Sequence, residues 1–192
     1  MLKTINNGKL PTRGSKYSAF VDLYANEDVV IGAGETKIVK LGVCISQGTN
    51  MILGMGIIRD SKFSLDNFLK SHYLQLEPRS SLRAKGLIAD TGIIDLDYED
   101  EIGIIIHNPY TYKETFKIAS TVSIASICAS SGGNMDKVAE KIDEFDKMYD
   151  GDTDYTIKKG DRIAQISLME HKSYLMGISS DKVRDGGYGS AD

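Results

Sequence analysis

The sequence predicts a mainly β fold, a sandwich, jelly roll or related barrel, from three observations. Short runs rich in Val, Ile, Leu and Thr recur along the chain, among them Ala19–Tyr24 (AFVDLY), Thr36–Leu41 (TKIVKL) and Gly42–Ser46 (GVCIS). Turn-forming clusters, Asn26-Glu27-Asp28 and Gly32-Ala33-Gly34, separate them. Many short strands at even spacing argue against a parallel α/β sheet. With 192 residues the chain is read as one domain, 1–192, long enough to bury a real core.

Further strands are expected at Met51–Ile58, Glu101–His107, Thr115–Ile118, Val122–Cys128 and Ile163–Met169. Two segments depart from this pattern. In Arg59–His72, Phe63, Leu65, Phe68 and Leu69 fall near helical spacing behind Ser64, a candidate N-cap, so a short helix is expected. In Asn134–Asp150, Met135, Val138, Ile142, Phe145 and Tyr149 recur at three- and four-residue steps and define one face of an amphipathic helix. Eight acidic residues against three lysines give Asp136–Asp154 a local charge of −5. That segment reads as an acidic outer decoration docked by its apolar stripe.

Charge and composition exclude several classes of function. Twenty-three basic and 27 acidic residues give a net charge of −4, so no basic footprint announces nucleic acid as a partner. A polyanionic ligand would have to be met by a few placed cations and backbone amides. Nothing approaches the length of a membrane span, and the polar start MLKTINNGKLPTRG lacks an apolar signal core. Cys44 and Cys128 sit in apolar, β-branched surroundings and read as two buried free thiols, which suits a reducing cytoplasm. His72, His107 and His171 are scattered without a second ligand at metal spacing. Asp150, Asp152 and Asp154 imitate the start of a calcium loop, but Tyr155 stands where its glycine belongs.

The stretch Pro78–Asn108 carries the chemistry. Arg79 with Ser80 and Ser81 supplies a planar cation and two hydroxyl donors, the groups that hold phosphate oxygens, and Pro78 sets the turn before them. Asp95 and Tyr98 follow, where a strand pair is expected to turn.

Five segments in order, Ser18–Ala25 (SAFVDLYA), Pro78–Leu82 (PRSSL), Gly92–Gly103 (GIIDLDYEDEIG), Gly160–Gln165 (GDRIAQ) and Arg184–Ser190 (RDGGYGS), resemble the five motifs of the homotrimeric deoxyuridine triphosphatase (dUTPase) family. The resemblance implies a distorted jelly-roll, β-clip fold enlarged by two insertions, about 59–73 and about 114–155, the second carrying the helix 134–150. A C-terminal arm is expected over about 180–192. It also implies hydrolysis of dUTP to dUMP and pyrophosphate, at sites built from neighbouring subunits of a trimer.

Carried over residue by residue, Asp95 becomes the general base that activates the attacking water. Tyr98 lays its ring against the deoxyribose and excludes a 2′-hydroxyl. Uracil is read largely by main-chain groups of a hairpin spanning Ala89 to Gly103, so the shape at Ala89, Ile93, Ile94 and Gly103 matters more than side-chain identity. Arg79, Ser80, Ser81 and Gln165 bind the triphosphate. Asp22 matches the acid that reaches magnesium, Mg2+, through a water. Arg184 and Tyr188 belong to the arm that folds over the nucleotide, with tyrosine where phenylalanine is usual. Asp100 replaces a common turn glycine, and Arg184 lies one residue nearer the paired glycines than the family's arginine does.

Two alternatives stand beside this reading. A dCTP deaminase shares the fold and the RSSL turn, but Ile105 occupies the position of its catalytic glutamate and cannot shuttle protons. A regulatory protein of the same fold would instead use the acidic insert to bind a protein partner.

Overall fold

The computed structural model describes residues 1–46, 64–109, 136, 139 and 154–178. These residues are mostly β, as expected. In chain order the strands are β1 (Leu2–Thr4), β2 (Thr12–Arg13), β3 (Val21–Tyr24), β4 (Val29–Ile31), β5 (Thr36–Lys40) and β6 (Val43–Ile45). After helix α1 (Leu65–Ser71) come β7 (His72–Pro78), helix α2 (Ser80–Ala84), β8 (Ile88–Ala89), β9 (Gly92–Asp95) and β10 (Gly103–His107). Strands β11 (Tyr155–Ile157) and β12 (Arg162–Glu170) precede a 3-10 turn at Ser173–Met176.

The largest sheet has the order β2-β3-β12-β7-β9, and its pairs are antiparallel. A second sheet has the order β5-β10-β8, and two strand pairs, β1-β6 and β11-β4, complete the framework. Inward residues of these sheets form one cluster that includes Leu23, Ile31, Val39, Ile45, Leu74, Leu96, Ile104, Ile157 and Ile166. Alternation is clearest in β7, where Leu74, Leu76 and Pro78 are buried and Tyr73, Gln75 and Glu77 are half-buried. Asn108 is fully buried, and its amide donates to the Ile31 carbonyl at 3.0 Å. That bond ties the end of β10 to β4.

The short helix after Ser64 forms as expected. The Ser64 hydroxyl accepts from the Asn67 amide at 3.3 Å, Asp66 lies in the first turn, and Lys70 pairs with Asp66 at 2.7 Å. The segment 59–73 does not stay helical to its end. His72 and Tyr73 already belong to β7, opposite Glu170 and Met169 of β12. Likewise Tyr155, the last residue of the second expected insertion, opens β11 and pairs with Ile31 of the framework. Of the acidic helix, Asp136 and Ala139 are helical and exposed. The rest of that segment, the strands expected at 51–58, 115–118 and 122–128, and the arm with Arg184 and Tyr188 lie outside the described residues.

Cys44 is a free, buried cysteine on β6, and burial pushes its thiol above the ordinary range. Cys128 lies outside the described residues. No helix among the described residues is long and apolar enough to cross a membrane.

Candidate active site

Strand β7 ends at the buried Pro78, which can donate no backbone hydrogen bond and so releases the chain from the sheet. Arg79 follows in extended geometry at the N-cap of α2, and its amide donates to the Ile163 carbonyl at 2.9 Å. The short helix is anchored by buried Leu82, a side chain whose burial contributes about 1.5–3 kcal/mol. After the C-cap Lys85 the chain turns off through Gly86, whose φ of 80° favours glycine. Fixed at both ends, α2 carries Ser80 and Ser81 on its exposed side.

Sheet register then assembles the cleft. Asp22 on β3 stands opposite Gln165 on β12, and Gln165 stands opposite Glu77 on β7. A β-bulge between Arg162 and Ala164 shifts the ladder beside them, and bulges of this kind re-aim side chains. Arg162 donates to Asp22 Oδ2 at 3.3 Å, and Arg79 donates to Asp22 Oδ1. Asp22 is only 5 % exposed, so two guanidiniums hold its charge in place.

Two adjoining clefts share Arg79 and Gln165. One, of about 470 Å³, is lined by Gly14, Ser18, Ala19, Phe20, Asp22, Arg79, Arg162 and Gln165. The other, of about 280 Å³, is lined by Glu77, Pro78, Arg79, Ser80, Arg83 and Gln165. The loop roofing the larger cleft is folded on itself, with the Ser15 amide donating to Ser18 Oγ at 2.8 Å and Arg13 donating to the Ser18 carbonyl. Three arginines against two carboxylates make the cleft locally cationic on an acidic chain. An anion with several oxygens is the ligand such a surface can hold.

The expected phosphate-binding residues Arg79, Ser80 and Gln165 are brought together, while Ser81 is exposed on α2 outside both linings. Arg162, Arg83 and Glu77 join them without having been expected as site residues. Arg162 was legible as part of GDRIAQ; Arg83 and Glu77 carried no signal beyond their nearness to Arg79.

The second half of the candidate site lies elsewhere in the chain. Asp95 ends β9, the edge strand, and is exposed. The Tyr98 amide closes a turn onto the Asp95 carbonyl at 3.1 Å. Tyr98 is 6 % exposed among the core residues, and its hydroxyl donates to the Glu101 carbonyl at 3.4 Å. The expected strand pair around this turn is only partly formed. Ala89 pairs with Ile106 and the Asp90 amide donates to the Ile105 carbonyl at 3.1 Å, so the base of the hairpin closes. Beyond it, β9 leaves β10 and pairs with β7, while β10 pairs with β5. The divergence follows from burial: Ile104 and Ile106 cover the core against β5, whereas Ile93 is 78 % exposed and Ile94 half-buried on the other sheet. Gly103 is buried opposite Lys40.

Both oxygens of Asp22 already accept from guanidiniums, and among the described residues no group of three His, Cys, Asp or Glu side chains is placed to hold a metal. This donor set suits a hard cation carried chiefly by a ligand's phosphate oxygens rather than one ligated directly by these side chains.

A mainly β framework with a cationic, polyanion-sized cleft defines a class of anion-binding β protein. A sequence model of the dUTPase family matches residues 67–151. The deoxyuridine 5′-triphosphate nucleotidohydrolase of Variola virus is 32 % identical over 126 residues, covering 66 % of this chain and 70 % of the viral one. The chain belongs to the dUTPase family. Its fold agrees with solved members. The dUTPase of phage phi11 of S. aureus has a TM-score of 0.54 at 16 % identity, covering 100 % of this chain and 98 % of that one. The dUTPase of Streptococcus mutans has a TM-score of 0.50 at 20 % identity, covering 88 % and 94 %.

Proposed function

We propose that this protein hydrolyses dUTP to dUMP and pyrophosphate at sites shared between the subunits of a homotrimer. The observation that carries this reading is the exposed Asp95 on an edge strand, three residues before a held tyrosine, in a chain that also builds an arginine cleft. Family membership supports the substrate.

In this reading Arg79, Ser80 and Gln165 hold the phosphate chain, with Arg162 and Arg83 adding positive charge. Asp95 accepts a proton from a water as its oxygen bonds to the α-phosphorus. The bond from that phosphorus to the bridging oxygen breaks, and pyrophosphate leaves. A carboxylate suits the task because it remains ionised at neutral pH and acts only as an acceptor. Tyr98 bars a 2′-hydroxyl by shape, and main-chain groups around Ala89, Ile93, Ile94 and Gly103 read uracil. Arg184 and Tyr188 close the arm over the base.

A structural Mg(II) ion has been described for a solved relative, the dUTPase of phage phi11. Here a Mg2+ ion on the triphosphate would neutralise charge and orient the leaving group. Asp22 would meet it through a water, while the two guanidiniums keep the carboxylate at the cleft floor. A cytoplasmic location accords with this substrate and with the free Cys44. The acidic segment has no part in this reading.

A panel of dUTP, dCTP, dTTP and UTP with magnesium, followed by pyrophosphate and ammonia release, tests it. Pyrophosphate from dUTP, with poor turnover of the others, is the expected result. Ammonia from dCTP at a comparable rate, or an inert dUTP, would overturn it.

A further inference from the structure

Glu101 joins three segments that are distant in sequence. Its Oε1 accepts from the Gly42 amide at 2.8 Å and its Oε2 from the Asn6 side-chain amide at 2.8 Å. Asn6 sits in a turn whose two central residues, Asn6 and Asn7, both have positive φ, 53° and 57°. Asparagine is among the few side chains that tolerate this geometry. The turn is secured from outside as well. Asn26 donates to the Asn6 carbonyl at 3.1 Å and Ile5 to the Gly42 carbonyl at 2.9 Å, while the Gly8 amide closes the turn itself onto the Ile5 carbonyl at 2.8 Å.

Gly42 cannot be replaced without moving this assembly. Its φ is 65°, and an added Cβ would lie 2.5 Å from Gly8 Cα and 2.8 Å from the Asn26 side chain. The partner of Glu101 is therefore a rigid one. The backbone around Glu101 continues the attachment, because Ile102 donates to the Val43 carbonyl at 2.8 Å and accepts from the Leu41 amide at 3.0 Å.

Glu101 follows Tyr98 by only three positions, and the Tyr98 hydroxyl rests on the Glu101 carbonyl. Tyr98 in turn closes its turn onto Asp95. Strand β9 leaves toward β7 and β10 toward β5, so the loop between them crosses from one sheet to the other. A span of this kind keeps its shape through fixed points. The carboxylate supplies one, since one oxygen accepts from the Asn6 side chain on the turn and the other from the Gly42 amide packed against it, both bonds being charge-assisted.

We propose that Glu101 is a positioning residue for this reaction: by clamping the loop to the Asn6 turn and Gly42 it sets the height of the Tyr98 ring, and so the discrimination between deoxyribose and ribose. This rests on the functional reading above. It assigns Glu101 no contact with the nucleotide.

The test compares Glu101→Ala, Glu101→Gln and Asn6→Ala with the unmodified full chain, by hydrogen exchange and by the ratio of kcat/KM for UTP to that for dUTP. In Glu101→Ala, exchange should quicken about tenfold or more together in 5–8, 41–43 and 96–103, leaving β12 protected. The UTP:dUTP ratio should rise about tenfold, carried mainly by kcat/KM for UTP. Glu101→Gln keeps an acceptor for Gly42 and should restore most of both properties. Asn6→Ala removes one arm only and should fall between them, and it stands in for Glu101→Ala if that variant does not fold. Unchanged exchange in the three segments, or quickened exchange with an unchanged ratio, overturns the proposal. Exchange that rises equally in β12 marks a general loss of stability and overturns it too. An unmodified protein that fails to turn over dUTP sinks the functional reading instead, and the exchange data then decide the clamp alone.

Discussion

Asp95 and Arg79 lie at opposite ends of one strand: Asp95 pairs with Tyr73 near the start of β7, and Arg79 follows its last residue, Pro78. Arg79 lies six positions of extended chain beyond Tyr73, about 20 Å at the rise of a β-strand. The Arg79 side chain also turns away, across β12 to Asp22 on β3. A general base must come within hydrogen-bond reach of the water it activates. In the proposed reaction, the base and the phosphate clamp that serve one nucleotide would therefore come from different chains.

This separation predicts complementation between inactive chains. Asp95→Asn and Arg79→Ala should each be nearly inactive alone. Co-refolded in equal amounts, they should recover about a quarter of the activity of the unmodified protein, because about one site in four draws both intact residues from different subunits. No recovery in the mixture, or a monomer by light scattering, would show that sites are not shared.

Asp95→Asn keeps the shape of the side chain and removes the base. Turnover of dUTP should fall roughly a hundredfold or more, while binding of a non-hydrolysable dUTP analogue changes little. Single-turnover kinetics with calorimetric binding separate the two effects, and near-normal turnover would assign Asp95 a structural role.

Tyr98 needs a paired comparison because its ring is buried. Tyr98→Ala should raise the UTP:dUTP ratio and also cost about 3–5 kcal/mol of stability through the cavity it leaves. Tyr98→Phe keeps the ring and loses the hydroxyl's bond to the Glu101 carbonyl, so discrimination should survive at a cost of about 1 kcal/mol. If Tyr98→Phe admits UTP as freely as Tyr98→Ala does, shape exclusion by the ring is wrong.

Asp22→Ala leaves Arg79 and Arg162 facing each other across a buried floor. Both guanidiniums are partly exposed and can turn toward water, so the loss should be about 2 kcal/mol, less than for a fully buried pair. A fall in Tm of about 4–8 °C by calorimetry is the matching readout. An unchanged Tm would mean that the carboxylate contributes no stability there.

Glu35 gives a dependence on pH. Its carboxyl is held below the ordinary carboxylate value, first by the Gly32 amide it accepts at 2.8 Å and then by Lys37 at 3.1 Å. The folded value lies below the unfolded one, so the stabilisation is present above the unfolded pKa and is lost as pH falls through the folded one. Glu35→Gln should lower Tm near neutral pH, and the difference should close in the acid range. A gap that persists in acid would point to packing rather than charge.

Much of the site was legible in sequence because its chemistry is local. PRSSL places a strand-ending proline, a cation and two hydroxyls in five consecutive residues, and the turn between Asp95 and Tyr98 needs only their own backbone. The helix behind Ser64 was legible for the same reason, since its cap and its Asp66–Lys70 pair lie within two turns. Strands with dense β-branched runs, such as β3, β5 and β10, announced themselves through composition.

Other features depended on partners distant in the chain. Strand β7 alternates cleanly, yet its start is hidden behind the helical spacing of the preceding segment. Only pairing with β12 over seven residues, and with β9 on its other side, makes it the inner strand that spaces Asp95 from Arg79. Strands β1 and β11, three residues each, are too short to announce themselves and exist because β6 and β4 offer them a ladder. A mainly β protein, with its candidate site residues in short motifs, could be read from the chain alone, because residue type and spacing suffice for turns, caps and alternation. Tertiary structure alone decided that β9 and β10 part into different sheets, that Asp22 is closed between Arg79 and Arg162, and that Glu101 grips Gly42 and Asn6. Each of these depends on register between strands far apart in the chain, and no local pattern encodes which partner a strand will find.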